Sequence, residues 1–150
     1  MKIFLSAFLL FTFVACNTPD KAPEELASKT DPQVALDFMN SYVKSCNELT
    51  NPEKWVAKNK QLSNEFKAAY RKLMKEAWEH DPELGLGFDP IFDAQDYPDI
   101  GYRIKSFDSK TGIVQLESSD NLGYHAKVRV KLIGNKTLVD GAGVIRMVAH

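Results

Sequence analysis

The first half of the chain carries apolar residues at the spacing of amphipathic helices, about 3.6 residues per turn. Asp31 and Pro32 predict the start of a first helix, because aspartate favours the N-cap and proline the first turn. We expect one face of this helix to be buried, with Cys46 on it as a small apolar side chain. That face comprises Val34, Phe38, Met39, Tyr42, Val43 and Cys46.

Two more helices are predicted before the pattern changes. Asn51 and Pro52 predict the start of a short one. Ser63 can cap a longer one that we expect to end near His80, because Pro82 disfavours helical backbone in the residue before it. The longer helix has an apolar stripe at helical spacing, made up of Leu62, Phe66, Ala69, Tyr70, Leu73, Met74 and Ala77.

From about residue 102 apolar and polar residues alternate, which is typical of half-buried antiparallel strands. Short turns separate the alternating runs and force neighbouring strands to pair. A last strand is expected from about Thr137 to Val148, where Gly141 and Gly143 predict a bulge or a close backbone approach. The inward side chains are Tyr102, Ile104, Val114, Leu116, Ala126, Val128, Val130 and Leu132.

Helices followed by such a meander predict an α+β domain in which the helices pack on one face of the sheet. Cystatin-like and nuclear-transport-factor-like folds have this architecture. The opposite face carries polar side chains, among them a basic stripe. Its simplest interpretation is a solvated face that discourages edge association, and the alternative is a site for an anionic ligand, headgroup or partner. The stripe comprises Arg103, Lys105, Lys127, Arg129 and Lys131.

The N-terminal residues have the pattern of an export signal. Met1 and Lys2 precede an apolar run of 13 residues, which is shorter than the roughly 20 that a membrane-spanning helix needs. The segment Phe13-Val14-Ala15-Cys16 resembles a lipobox, in which a large residue, a spacer, a small residue and a cysteine follow one another. The resemblance implies cleavage before Cys16 and acylation of that residue, which anchors the protein to a membrane. The alternative is an ordinary signal peptide in which Cys16 is incidental.

The chain therefore divides into a signal peptide at 1–15, a flexible tether at 16–31 and a single α+β domain at 32–150. Removal of the signal takes away one lysine, which leaves 18 basic and 20 acidic residues and a formal charge of −2. This balance argues against nucleic acid as a partner. Cys46 is the second of only two cysteines, so an acylated Cys16 leaves it without an intrachain disulfide.

A turn-rich segment at 84–98 combines apolar and acidic residues. We predict binding residues there, because loops on rigid scaffolds commonly carry recognition. They are Asp89, Asp93, Gln95, Asp96 and Tyr97. Together with Asp81 and Asp99 these aspartates offer oxygen ligands for calcium, but their spacing matches no EF-hand loop and caps or turns explain the two Asp-Pro pairs. We predict neither a metal nor a cofactor.

Catalytic groups are sparse in this sequence. A dyad of Cys46 with His80 or His125 is conceivable, but a thiol on an apolar helix face is expected to be unreactive. Asp140 and Arg146 flank the late glycines and favour a structural ion pair over an active site. The sequence therefore predicts a protein that is not an enzyme.

Three segments together resemble a family of bacterial envelope lipoproteins, the domain of unknown function 3828. They are Leu62-Ser63-x-x-Phe66-x-x-x-Tyr70, Asp89-Pro90-x-x-Asp93-Ala94-Gln95-Asp96-Tyr97-Pro98 and Lys136-Thr137-Leu138-Val139-Asp140-Gly141. The resemblance implies export, one helix-plus-sheet domain and no assigned chemistry. Some small periplasmic proteins of similar architecture look like immunity proteins that block peptidoglycan-cutting effectors.

Two hypotheses follow. The first is a lipoprotein of the bacterial envelope, periplasmic or at the cell surface, that is tethered through Cys16 and binds an envelope or effector protein. The second is a small-molecule pocket between the helices and the sheet. Its expected lining is Phe38, Tyr42, Trp55, Phe66, Tyr70 and Phe92.

Overall fold

The computed structural model describes residues 30–147, in which three helices precede a four-stranded antiparallel sheet. The elements are α1 (Gln33–Asn47), α2 (Pro52–Lys58), α3 (Asn64–His80), β1 (Tyr102–Asp108), β2 (Ile113–Ser118), β3 (His125–Ile133) and β4 (Lys136–Ala142). The strands pair in chain order, so the domain belongs to the α+β class, as the sequence predicts. The expected signal peptide, Cys16 and the tether up to residue 29 lie outside the described residues.

Capping side chains fix where the helices start. The Asn51 side chain accepts a hydrogen bond from the backbone N–H of Lys54 at the start of α2. Ser63 does the same for Phe66 at the start of α3, and a cap of this kind contributes about 1 kcal/mol. The first helix begins one residue later than expected, because Pro32 occupies the cap position and the preceding aspartate accepts from the backbone of residue 33. In residues 30–147 no helix has the length and apolar character needed to cross a bilayer.

The core lies between α1 and one face of the sheet. Phe38, Met39 and Tyr42 of α1 have no accessible surface. On the sheet side, the cross-strand pair Val114 and Val128 is equally enclosed. The helices therefore cover a single face, as expected from the alternation in the strands.

The longest helix is covered over only part of its length. Phe66 and Tyr70 are buried, whereas Leu73, Met74 and Ala77 of the same stripe remain half-buried. The helix packs against β4 and α2, and Phe66 in its first half also contacts the ring of Phe38 in α1. The second half of its apolar stripe thus borders a groove instead of a core.

The opposite face of the sheet is polar, and most of its cations have carboxylate partners. Glu117 forms ion pairs with Arg103 at 3.0 Å and with Lys105 at 3.6 Å. Arg129 pairs with Asp140 at 3.2 Å. These internal pairs favour the solvated-face interpretation of the basic stripe.

The last strand departs from the expectation. A bulge on β4 places both Asp140 and Gly141 opposite Arg129, so that Val139 and Ala142 can both face the core. The strand ends at Ala142, and residues 143–147 do not continue it; the expected end at residue 148 lies outside the described residues. The chain reverses there through a turn at Gly143, which has a left-handed φ of 53° and no room for a Cβ beside a neighbouring backbone carbonyl.

Both edges of the sheet are partly covered. Along β4, the backbone N–H of Val139 donates to the carbonyl of Gln61, and the N–H of Ser63 donates to the carbonyl of Val139. Along β1, the side-chain amide of Asn40 accepts from the N–H of Tyr102 and donates to its carbonyl. Covered edges limit pairing with other chains.

Candidate functional site

Asp89 anchors the turn-rich segment to α1. Its Oδ1 accepts hydrogen bonds from the backbone N–H groups of Ile91 and Phe92, at 2.8 and 3.0 Å. Its Oδ2 accepts from the hydroxyl of Tyr42 at 2.6 Å. Burial raises the pKa of that tyrosine, and the negative charge of Asp89 raises it further. Asp89 therefore holds the segment in place, and its oxygens are already occupied.

Stacked aromatic rings continue this attachment. The ring of Phe92 lies 5.0 Å from Tyr42 and 4.8 Å from Tyr97, between ring centroids. Phe92 is buried and Tyr97 is half-buried. The segment is thus packed across the junction of helices and sheet and presents a rigid surface.

The structure separates the predicted binding residues into two groups. Asp93 is exposed with a left-handed φ of 57°, and it lines a shallow cavity with His125 and Lys127. Gln95 closes its own loop by donating to the carbonyl of Gly87 at 3.3 Å. Asp96 and Tyr97 belong to a different surface, at one end of the domain.

Asp96 joins the turn-rich segment to the turn between β2 and β3. Its Oδ2 accepts from the hydroxyl of Tyr124 at 2.8 Å, and its Oδ1 accepts from the backbone of Tyr97. The hydrogen bond from Tyr124 holds the pKa of Asp96 below its usual value. The same bond, followed by burial and nearby aspartates, raises the pKa of Tyr124.

Three pieces of chain meet at this end of the domain. The Asn47 side chain donates to the carbonyl of Asp99 at 3.3 Å, which joins the end of α1 to the segment before β1. The backbone N–H of Ser119 donates to the carbonyl of Gly101 at 2.9 Å, which adds the β2–β3 turn. We call residues 47–49, 96–101 and 119–124 the loop end.

The loop end exposes large aliphatic side chains among carboxylates. Leu49, Ile100 and Leu122 are 91%, 67% and 71% exposed. The carboxylates are Glu48, Asp96, Asp99 and Asp120. Isolated exposed leucines are ordinary, but three exposed aliphatic side chains on loops that are joined by hydrogen bonds offer apolar contacts to a partner.

Leu49 is unusual for a further reason. It follows α1 with a left-handed φ of 54°, while the backbone N–H groups of Leu49 and Thr50 donate to carbonyls in the last turn of the helix. Glycine is the usual residue in this position, because a Cβ is disfavoured there by about 1 kcal/mol or more. The fold does not require an exposed leucine in this place, and such an outlier points to a function.

The expected pair of Asp140 and Arg146 is present, within a larger network. Oδ2 of Asp140 lies 3.2 Å from Nη2 of Arg146 and 3.2 Å from Nη2 of Arg129. Its Oδ1 accepts from the hydroxyl of Ser63 at 2.9 Å. Because Ser63 also caps α3, this buried carboxylate joins a helix start, β3 and the final turn, which is a structural role.

The pocket expected between helices and sheet does not form from the predicted aromatic residues. Phe38 and Phe66 pack edge to face with centroids 6.0 Å apart, and Tyr42 lies 5.0 Å from Trp55. Phe38, Tyr42 and Phe66 have no accessible surface, so the interior is filled by these rings. Only Tyr70, Trp55 and Phe92 reach surface concavities, each in a different place.

Cys46 is half-buried and not fully buried as the sequence predicts. Burial raises the pKa of its thiol, and the charge of Asp89 raises it further. Neither exposed histidine, His80 or His125, is among the groups that affect this thiol. Within residues 30–147, no group of three or more His, Cys, Asp or Glu side chains is placed to hold a metal ion.

Comparisons with family models, with curated proteins and with solved structures found no match to this chain. The resemblance to the envelope lipoprotein family stays a prediction from sequence. The functional argument therefore depends on the residues at the loop end and on the N-terminal pattern.

Proposed function

We propose that this protein is a membrane-tethered lipoprotein of the bacterial envelope whose domain binds another protein through the loop end and catalyses no reaction. Cys16 carries the acyl anchor in this proposal. The partner is an envelope protein or a periplasmic effector, and in the second case the protein acts as an immunity-type inhibitor. The pattern Phe13-Val14-Ala15-Cys16 supports the anchor, and the geometry of the loop end supports the binding role.

The observation that carries the proposal is the set of exposed aliphatic side chains at Leu49, Ile100 and Leu122. Interfaces between proteins have apolar centres with polar rims, and a few large side chains provide most of the affinity. The loop end itself contains four carboxylates, of which only Glu48 has an ion-pair partner among the described residues, Lys44, so the partner surface is expected to be basic. Complementary charge of this kind speeds association and excludes wrong partners.

The rigidity of the loop end supports the same role. The hydrogen bond from the Tyr124 hydroxyl to Asp96 ties two loops together, and Phe92 stacks on Tyr97. A surface that is already ordered loses little conformational entropy on association. The loop end can therefore bind a folded partner without rearrangement.

Site-specific photo-crosslinking tests the binding surface. A photoreactive residue replaces Ile100 or Leu122 in the full-length chain, which is expressed in its native cells. The matched control places the same residue at Asn135, an exposed position in the β3–β4 turn. We expect one discrete crosslinked species from the loop end and none from the control. Equal crosslinking at all three positions, or none at the loop end, contradicts the proposal.

The anchor is tested separately. Cells fed an alkyne-bearing fatty acid should label the wild-type chain and not Cys16→Ser, and the variant should leave the membrane fraction. An unlabelled wild-type chain in the cytosol contradicts export. A captured partner is then assayed for peptidoglycan hydrolysis with and without this protein. Inhibition supports the immunity role, and unchanged hydrolysis contradicts that role while leaving the binding surface in place.

A further inference from the structure

A groove of about 520 Å³ lies between α2 and the second half of α3 and uses no residue of the loop end. Its volume is in the range of about 300–1,000 Å³ that small-molecule sites occupy. Its ten lining residues form an apolar floor and a rim with four cations and one carboxylate.

The side chains from α3 form two parallel rows along the groove. Tyr70, Met74 and Trp78 recur every fourth residue and form the apolar row, while Lys67, Arg71 and Lys75 recur in the same way and form the cationic row. From residue 67 to residue 78 the groove follows about 16 Å of helix. An occupant therefore meets hydrocarbon from one row and positive charge from the other, and within the described residues only Lys75 of the cationic row has a carboxylate partner.

Trp78 lies at the apolar end of the groove and is partly exposed to solvent. Its side chain is 46% exposed although it is large and apolar. The ring packs against the backbone of Gly85, where a Cβ would lie 3.1 Å from it. The tryptophan is thus held in position and still presents uncovered surface.

Tyr70 supplies a polar atom at the other end of the floor. The residue is only 3% exposed; burial raises the pKa of its hydroxyl, and the charges of Asp89 and Glu53 raise it further, so the hydroxyl stays protonated. Tyr70 lines this groove, and a hydroxyl that stays protonated suits a ligand that accepts a hydrogen bond.

Charge and hydrocarbon are unevenly distributed along the groove. On α3, Lys67 lies three residues before Tyr70 and Arg71 directly after it, and Glu53 is the single carboxylate of the lining. At the Trp78 end the charge of Lys75 is partly met by Glu79, 3.5 Å away. One end of the groove is therefore cationic with a hydroxyl donor, and the other is largely apolar.

We propose that this groove binds a single-chain anionic amphiphile. Its hydrocarbon lies on Val56, Met74 and Trp78, and its carboxylate or phosphate head meets Lys67, Arg71 and the hydroxyl of Tyr70. An amphiphile with a charged head at one end and a hydrocarbon tail at the other matches a groove whose unpaired positive charge, among the described residues, is at one end. An acidic amphipathic peptide carries charge along its whole length and matches it less well. A fatty acid and a lysophospholipid share the required chemistry.

Binding is measured on residues 16–150 with Cys16→Ser, the chain expected after processing, which retains every described residue. Trp55→Phe leaves Trp78 as the only tryptophan, so its fluorescence reports on the groove. Dodecanoate, dodecyl phosphate and lysophosphatidylglycerol are titrated below their critical micelle concentrations, with neutral dodecyl maltoside as the control. We expect saturable one-to-one binding of the anions at least about tenfold tighter than binding of the maltoside, because pairing with the rim is lost. The preferred head distinguishes a carboxylate from a phosphate source.

Three variants test the assigned roles. Tyr70→Phe removes only the hydroxyl, so it should weaken binding about threefold to tenfold and leave the thermal midpoint unchanged. Lys67→Gln with Arg71→Gln should weaken binding about tenfold or more, whereas Lys60→Gln with Lys72→Gln, outside the lining, should not. Glu53→Gln should strengthen binding, a gain that misfolding cannot produce. Affinity should also rise about fourfold for each methylene added between eight and twelve carbons.

Three results overturn the proposal. They are equal affinity for the neutral and anionic amphiphiles, the absence of saturable binding by any of them, and tighter binding of an acidic amphipathic peptide than of dodecanoate. These measurements involve no loop-end residue, so their failure and the failure of the crosslinking experiment are distinguishable.

Discussion

Replacing Asp140 by asparagine should destabilise the domain more than any other loss of a single charge on the sheet. The carboxylate is 3% exposed and accepts from Ser63, Arg129 and Arg146. Asparagine keeps one oxygen for Ser63 but turns an amide NH₂ group towards two guanidinium groups. Two positive charges then lose their common partner.

The magnitude follows from how deeply the partners are buried. Breaking a fully buried ion pair costs about 3–5 kcal/mol. The side chains of Arg129 and Arg146 are 29% and 36% exposed, so solvent replaces part of the lost interaction. We therefore expect a loss of about 2–4 kcal/mol, which lowers the thermal midpoint by about 8–15 °C in a domain of this size.

The assay is thermal and urea unfolding followed by circular dichroism, with Glu117→Gln as the matched control. Glu117 also contacts two cations on the same sheet, at 3.0 and 3.6 Å, but it lies on the solvated face. Its replacement should change stability much less than that of Asp140. If the two variants unfold at the same temperature and the same urea concentration, Asp140 does not join the helix start, β3 and the final turn as described.

Three other substitutions follow from local geometry. Leu49→Gly should raise stability by about 0.5 kcal/mol, since glycine relieves the left-handed backbone, and should weaken crosslinking at the loop end; a lower thermal midpoint contradicts this. Gly143→Ala should cost about 3 kcal/mol or more by urea unfolding, because its Cβ meets the carbonyl of Pro90; near-wild-type stability contradicts it. Tyr124→Phe should raise the pKa of Asp96 in an NMR titration, because the bond that lowers it is lost. A depressed carboxyl pKa stabilises the fold above about pH 4 and stops doing so as pH falls through the folded value, so wild type and variant should converge in acid.

The elements were predictable where the determining interactions are local. Asn51 and Ser63 mark helix starts because each side chain bonds to a backbone three residues on, and sequence spacing contains that information. The strands follow in the same way from alternation, and short turns force their order. For these reasons the helices, the meander and the covered face of the sheet could be inferred before any coordinates.

The remaining features depend on contacts between distant residues. The apolar stripe of α3 predicts a buried face, but periodicity does not specify which residues another element will cover. Met74 and Trp78 therefore line an open groove. Leucine and isoleucine usually lie in the core, so the sequence does not reveal that Leu49, Ile100 and Leu122 are exposed. Their exposure becomes visible only when the three loops are placed in the fold. The pair of Asp140 and Arg146 was expected because both residues would face the same side of a regular strand. In the structure a bulge in β4 and the turn at Gly143 bring them together instead.

The formal charge of −1 conceals a separation that makes the two proposed surfaces independent. The loop end presents Glu48, Asp96, Asp99 and Asp120, whereas the groove presents four cations and one carboxylate. Salt should weaken binding at both places, because both depend on exposed charges, so ionic strength alone cannot tell them apart. Charge reversal can distinguish the two surfaces. Asp99→Lys should abolish crosslinking to a basic partner and leave dodecanoate binding intact. Lys67→Glu should abolish dodecanoate binding and leave crosslinking intact. A variant that impairs both functions, yet unfolds like the wild type, would mean that one ligand spans the two surfaces.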